Sequence, residues 1–129
     1  MNYLLDTHTL LWWTSEPEKL SQAVRGIISE PTTLIQVSAV SGYEISYKTR
    51  CGKLTVPFNS PQEFKILLRE EKWTELPLTL DHAVAGGRAR SGHRDPFDRL
   101  LAAQAIDTGS TLLTIDPAFA TFSELKTLW

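Results

Sequence analysis

A single cysteine, Cys51, leaves this chain with no internal disulfide and no means of building a thiolate zinc site. None of His8, His82 or His93 is near it in sequence, so Cys51 reads as an ordinary thiol at a helix end rather than a nucleophile. Long hydrophobic runs are missing: no stretch approaches the roughly 18 apolar residues of a membrane span, and no basic segment precedes the apolar N-terminus. A cytoplasmic chain with no membrane partner is the expectation. Excess charge of one sign is also missing. A formal net charge of −2 offers no global attraction to nucleic acid, so any such partner must be gripped by a local basic stripe. There is no internal repeat, low-complexity tract or linker. What is there is 129 residues, 42 % hydrophobic and 22 % charged, enough to bury a real core as one domain over residues 1–129.

Short apolar runs alternate with helical periodicity. Met1–Leu5 predicts a buried strand and Thr7–Trp13 a short helix. Pro17 suits the first position of a further helix with Leu20, Val24, Ile27 and Ile28 on one face. The β-branched stretch Thr32–Val37 predicts a second strand, and Ser38 or Ser41 starts a helix running towards Gly52. Next come a helix from Gln62 to Glu71, a strand within Trp73–Leu78, and a helix from His82 to Arg90 capped by Asp81. Asp95-Pro96 opens another helix reaching Asp107, with Gly109 as C-cap. Thr111–Ile115 predicts a fourth strand and Leu125–Trp129 an edge strand. The alternation specifies an α/β domain with a mainly parallel central sheet of four to five strands.

Four acids sit where an apolar run gives way to a turn or a helix: Asp6, Glu44, Asp98 and Asp116. Each has a structural use when taken singly. Asp6 can cap the first helix, and Ser41-Gly42-Tyr43-Glu44 matches a capping box. Asp95-Pro96-Phe97-Asp98 is a near-ideal helix start, and Asp116-Pro117 an ordinary turn opener. Independent caps, however, have no need to share one face of a sheet. In an open α/β sheet ligands bind beyond the carboxyl ends of the strands, where these four can converge. Carboxylates brought together repel by about 4 kcal/mol per close pair at an effective dielectric of about 20, so a cation must join them. Hard divalent ions such as Mg²⁺, or Mn²⁺ with the same oxygen ligands, fit that set. One or two such ions lower the pKa of a bound water and shield a phosphate, which favours phosphodiester hydrolysis.

Four blocks carry a family resemblance. They are Tyr3-Leu4-Leu5-Asp6-Thr7-His8-Thr9-Leu10-Leu11-Trp12, Val37-Ser38-Ala39-Val40-Ser41-Gly42-Tyr43-Glu44-Ile45, His93 to Ala105, and Leu113-Thr114-Ile115-Asp116-Pro117-Ala118-Phe119. In that order they span nearly the whole chain, which resembles PIN-domain ribonucleases of the VapC toxin type. The resemblance implies a three-layer α/β/α domain that cuts RNA with Mg²⁺ or Mn²⁺ and is silenced by a small VapB-like antitoxin, with a homodimer expected. It maps the acidic quartet onto Asp6, Glu44, Asp98 and Asp116. Asp98 takes the third place because it directly heads the Leu-Ala-Ala helix, leaving Asp95 as the cap; a one-turn rotation would exchange the two. Thr7 and Thr114 are expected to support the quartet through their hydroxyls. His8 stands where many relatives carry Asn, and Gly42-Tyr43 replaces a pair that is often bulkier.

Arg88, Arg90, His93, Arg94 and Arg99 fall in one short stretch beside the proposed centre, and are the expected phosphate contacts. Lys48, Arg50 and Lys53 follow Glu44 on the other side. Trp12 and Trp13 are adjacent indoles that cannot both point inward, so one is expected to be exposed or covered by an antitoxin or a second subunit. The competing reading from another class is a non-catalytic PIN-like protein-binding module that keeps its acids as caps. An aspartyl-phosphate protein fits poorly: a phosphatase of that type wants a second Asp where His8 sits, and a receiver wants a lysine that the Thr111–Phe119 region lacks.

Overall fold

The computed structural model describes residues 1–129. Five strands, β1 (Asn2–Leu5), β2 (Leu34–Ser38), β3 (Thr74–Leu76), β4 (Thr111–Leu113) and β5 (Lys126–Leu128), form one sheet in the order β3-β2-β1-β4-β5. Every neighbouring pair is parallel. The connections carry helices α1 (Thr7–Ser15), α2 (Gln22–Ser29), α3 (Ala39–Arg50), α4 (Pro61–Glu71), α5 (Leu80–Arg88) and α6 (Pro96–Thr108).

Strand side chains alternate between the two faces of the sheet, and the core divides accordingly. Tyr3, Leu5, Ile35, Val37 and Leu113 pack with Leu10 of α1, Val24 and Ile28 of α2, Ile45 of α3, and Phe58 and Trp73. Leu4, Leu76 and Leu112 point the other way, against Leu101, Ala102 and Ala105 of α6 and against Phe119 and Phe122. Two apolar clusters on opposite faces of one sheet make the three-layer α/β/α arrangement. The α6 face also buries polar pairs: Ser38 Oγ bonds Gln104 Oε1, and Ser110 Oγ donates to Gln36 Oε1 at 2.8 Å. No buried side-chain polar atom is left without a partner, so the short strands carry no desolvation penalty from orphaned groups.

Several local expectations are corrected. Pro17 opens only a 3₁₀ turn, Pro17–Lys19, and the chain re-enters a helix at Gln22 after a Ser21 cap whose hydroxyl accepts the Val24 N–H at 3.0 Å. Thr79, not Asp81, caps α5: its hydroxyl accepts the His82 N–H at 3.1 Å, while His82 Nδ1 accepts the Thr79 N–H at 3.2 Å. Ser38 caps α3, which leaves Ser41 inside the helix and dissolves the capping box expected of Ser41 and Glu44. Both indoles are half-buried and pack within the chain. Trp12 lies edge-on to Trp129 at 5.8 Å, and Trp13 packs on Trp73 while its Nε1–H donates to Glu71 at 3.1 Å. No helix is long and apolar enough to cross a membrane.

Leu101 of α6 is fully buried against the sheet. Leu101→Ala should therefore lower unfolding free energy by about 3 kcal/mol. Urea denaturation checks it: the midpoint should drop at unchanged slope, and a shift under about 1 kcal/mol would deny that α6 anchors this layer.

Candidate active site

The direction of winding reverses at β1. The chain steps outward through β2 and β3, then crosses back to lay β4 on the other side of β1. A crevice opens at such a switch point beyond the strand ends. Leu5 is in register with Leu113, and the Asp6 N–H donates to the Leu113 carbonyl at 3.2 Å, so Asp6 and Thr114 leave the sheet side by side.

Asp6 is only 5 % exposed. Its Oδ1 accepts the Thr7 N–H at 2.7 Å, which starts α1, and its Oδ2 accepts the Thr114 hydroxyl at 2.7 Å. The same Thr114 oxygen accepts the Asp116 N–H at 3.1 Å. Asp116 Oδ1 in turn accepts the Ala118 N–H at 2.9 Å and caps the 3₁₀ turn Pro117–Thr121. Burial pushes the Asp6 carboxyl above its ordinary pKa of 3.8; the Thr114 hydrogen bond, His8 and the Thr7 N–H pull against this, and the charge of Glu44 adds to it.

Glu44 reaches the centre from the second turn of α3 and is 7 % exposed. Lys48, one turn on, donates from Nζ to Glu44 Oε2 at 2.6 Å. Asp98 arrives from the first turn of α6 and shares a 2.7 Å hydrogen bond with His93 Nε2. Its pKa is pushed up to about 6, by burial first and then by the charges of Asp95 and Asp6, with His93 opposing. Ligand atoms of His93, Asp98 and Asp116 lie within 4.8 Å of one another. Asp6 stands outside that tight trio but within electrostatic reach of both Glu44 and Asp98. The four acids thus gather near one another at this end of the sheet, with Asp6 between the Glu44 side and the Asp98–Asp116 pair.

The remaining candidates divide. Asp95 is the α6 cap, its Oδ1 accepting the Phe97 and Asp98 N–H groups at 2.9 and 3.3 Å. The Thr7 hydroxyl bonds Ser41 Oγ at 2.9 Å rather than one of the four acids, tying α1 to α3. Arg88, Arg90 and Arg94 are exposed and take no part in the ion pairs of the fold. Arg99 departs from the expectation of a phosphate contact. Its guanidinium donates to the carbonyls of Gly86, Gly87, Ala89, Ser91 and His93, at 2.6 to 3.4 Å, and holds the loop that presents His93. His93 likewise sits among the acids, packed edge-on to Phe119 and Phe122, rather than on an open basic face. Two participants went unread in the sequence. Lys48 as the partner of Glu44 was accessible from their i,i+4 spacing; Ser41 as the partner of Thr7 carried no local signal.

A parallel sheet in this order, with acids at the β1–β4 crevice, goes with a match to the PIN domain family over residues 3–125, and the chain belongs to that family. It is 31 % identical over 114 residues to Ribonuclease VapC22 of Mycobacterium tuberculosis (strain ATCC 25618 / H37Rv), covering 88 % of this chain and 85 % of that protein. Among solved structures it superposes on VapBC2 from Rickettsia felis bound to a DNA fragment from its promoter, with a TM-score of 0.73, 17 % identity, and 99 % and 98 % of the two chains covered. DNA-bound VapBC from Salmonella typhimurium gives a TM-score of 0.72 at 15 % identity over 99 % and 97 %. VapBC-5 of Mycobacterium tuberculosis, a member of a family of toxin–antitoxin systems, gives 0.62 at 19 % identity over 98 % and 97 %. The α/β/α architecture implied by the sequence blocks is the one these structures share.

A carboxyl held near 6 in the folded chain, against 3.8 ordinarily, binds its proton more tightly folded than unfolded. That contribution to stability is complete below about pH 4 and is lost as pH rises through about 6. In metal-free thermal melts, Asp98→Asn should flatten the decline in Tm across this window, with Asp6 retaining part of it. An unaltered decline would show that Asp98 is not the group responsible.

Proposed function

We propose that this chain is a divalent-metal-dependent endoribonuclease, the toxin half of a toxin–antitoxin pair, acting as a single PIN domain in the cytoplasm. The observation that carries the reading is the crevice itself. Four acids converge at the β1–β4 switch point with two of them held above their ordinary pKa, and no arginine neutralises them. Lys48 and His93 offset part of the repulsion, at Glu44 and Asp98, and a bound cation would offset the rest.

The donor set fits one. Asp98 and Asp116 offer hard oxygen ligands within 4.8 Å, with His93 Nε2 beside them, and such oxygens suit Mg²⁺ or Mn²⁺, as one or two ions. Asp6 and Glu44 complete the acidic lining from the α1 and α3 side. When bound, the ion supplies a water acidic enough to attack at neutral pH and charge to offset the phosphate. The chain's own residues do the rest. Thr114 and the Thr7 N–H fix the Asp6 carboxylate, so its orientation does not depend on substrate. Arg99 fixes the loop carrying His93, and Asp95 fixes the start of α6 and with it Asp98. Arg88, Arg90 and Arg94 supply phosphate contacts that position a strand without reading its bases. Lys48 partly neutralises Glu44 and would have to share it with a bound cation. A small VapB-like antitoxin keeps the centre silent, and the working form is a homodimer.

Purified protein should cut single-stranded RNA with Mn²⁺ or Mg²⁺. Asp6→Asn or Asp98→Asn should slow cutting about a thousandfold, matching the several kcal/mol such metal chemistry provides. Equal cleavage by the variants, or by wild type in EDTA, would refute the assignment. At limiting RNA, the logarithm of the rate should fall against log salt with a slope near −2, about 0.7 for each of three arginine–phosphate contacts. A flat salt profile would remove those arginines from the substrate path.

A further inference from the structure

An aromatic row runs away from the acidic centre along α3, and the activity proposed above makes no use of it. Tyr43 precedes Glu44 and is 63 % exposed; Tyr47, one turn on, is 39 % exposed. Their rings are almost parallel, 7° apart with centroids at 6.2 Å. Tyr43 also leans on Phe97, at 5.6 Å and 44°, which is the residue before Asp98. At the far end the Arg50 guanidinium sits over the Tyr47 ring at 5.5 Å. Open clefts of about 230 and 460 Å³ flank the row, both lined by Tyr43 and Ser46.

Isolated exposed tyrosines are commonplace; three features set these apart. The row is tethered at one end to residues adjacent in sequence to two acids of the centre, Glu44 and Asp98. Its exposed rings share one orientation. It ends in a cation, Arg50, on a chain whose net charge is negative. Parallel aromatic faces bordered by cations are what unpaired nucleobases and their phosphates require. Bases stack on tyrosine without regard to sequence, and a guanidinium adds a phosphate contact or a second stacking plane. Duplex RNA, with its bases already stacked on each other, cannot use such a surface.

We propose that Tyr43 and Tyr47, with Arg50, form a stacking platform for unpaired nucleobases flanking the scissile phosphate, so that this face selects single-stranded RNA. The inference rests on the nuclease reading for the words "scissile phosphate", but the platform itself is measurable without cleavage.

Two readouts separate the ideas. Binding is measured on an Asp98→Asn background with a short oligoadenylate carrying 2-aminopurine, whose fluorescence is quenched by stacking. Cleavage of the same RNA by the otherwise wild-type chain is followed in parallel. Replacing both tyrosines with alanine should weaken binding about tenfold or more and abolish the quench. In the cleavage assay it should raise KM far more than it lowers kcat. Tyr43→Phe with Tyr47→Phe should restore both, since the ring and not the hydroxyl is required, and Arg50→Ala should weaken binding while leaving the quench. Thermal melts of each variant exclude loss of fold. Undiminished affinity and quench in the double-alanine variant would overturn the platform, as would equal preference of the wild-type face for duplex RNA. If the tyrosine variants bind RNA normally but change the sedimentation of the protein, the row is a contact between copies of this chain and the proposal is wrong. If the quench is present but no RNA is cut with any divalent ion, the nuclease reading falls and the stacking surface stands.

Discussion

The Thr114 hydroxyl donates to Asp6 and accepts the backbone N–H of Asp116, so one side chain couples the exits of the two central strands. The register of β1 with β4 brings these exits together, and Thr9 fastens the same corner by donating to the Leu113 carbonyl at 2.7 Å. The site therefore inherits its spacing from the sheet ladder. Ladder hydrogen bonds are hard to stretch when the strands are sealed between two apolar layers. Loops supply other parts of the centre, but the distance between its first and last acids is a property of the core.

Against that rigid frame stands an electrostatic conflict. Packing forces drive Asp6, Glu44 and Asp98 into a common, poorly hydrated crevice, and burial raises two of the three carboxyls. The fold relieves the strain incompletely: Lys48 answers Glu44 and His93 answers Asp98, whereas Asp6 has a hydroxyl, a backbone N–H and the nearby His8 but no ion pair. Burial of these carboxyls thus opposes their ionisation, the kind of perturbation that clusters at functional sites. The aromatic row on α3 complements this, since it offers contact to a polyanion without adding further negative charge beside the centre.

Much of the fold, and the placing of the four acids at element boundaries, was legible in the sequence because both rest on local signals. An apolar run marked Met1–Leu5 as a strand and β-branched residues marked Thr32–Val37, and each acid stood at the boundary of an apolar run. The helix start at Asp95-Pro96 and the glycine C-cap at Gly109, with φ of 66°, were equally local. The errors share a different cause. Thr79 and Asp81 are both competent caps two residues apart, and only the path of the incoming chain chooses between them. Pro17 opens α and 3₁₀ turns alike. The rings that pack against Trp12 and Trp13, Trp129 and Trp73, lie too far off in sequence to be read as their neighbours. Arg99 looked like a free cation because nothing in a sequence shows that a loop will fold its carbonyls around a guanidinium.

That loop has a consequence for how the protein can change. Arg99 grips main-chain oxygens at five positions, and main-chain oxygens are the one feature every amino acid shares. The curvature of the segment from Gly86 to His93 is thus insulated from the identities of the side chains at Arg88 and Arg90, which point into solvent. Those positions can change side chain while the imidazole at the segment's end keeps its address beside Asp98. A lysine in place of Arg99 could not substitute, having a point charge where a planar fork is required.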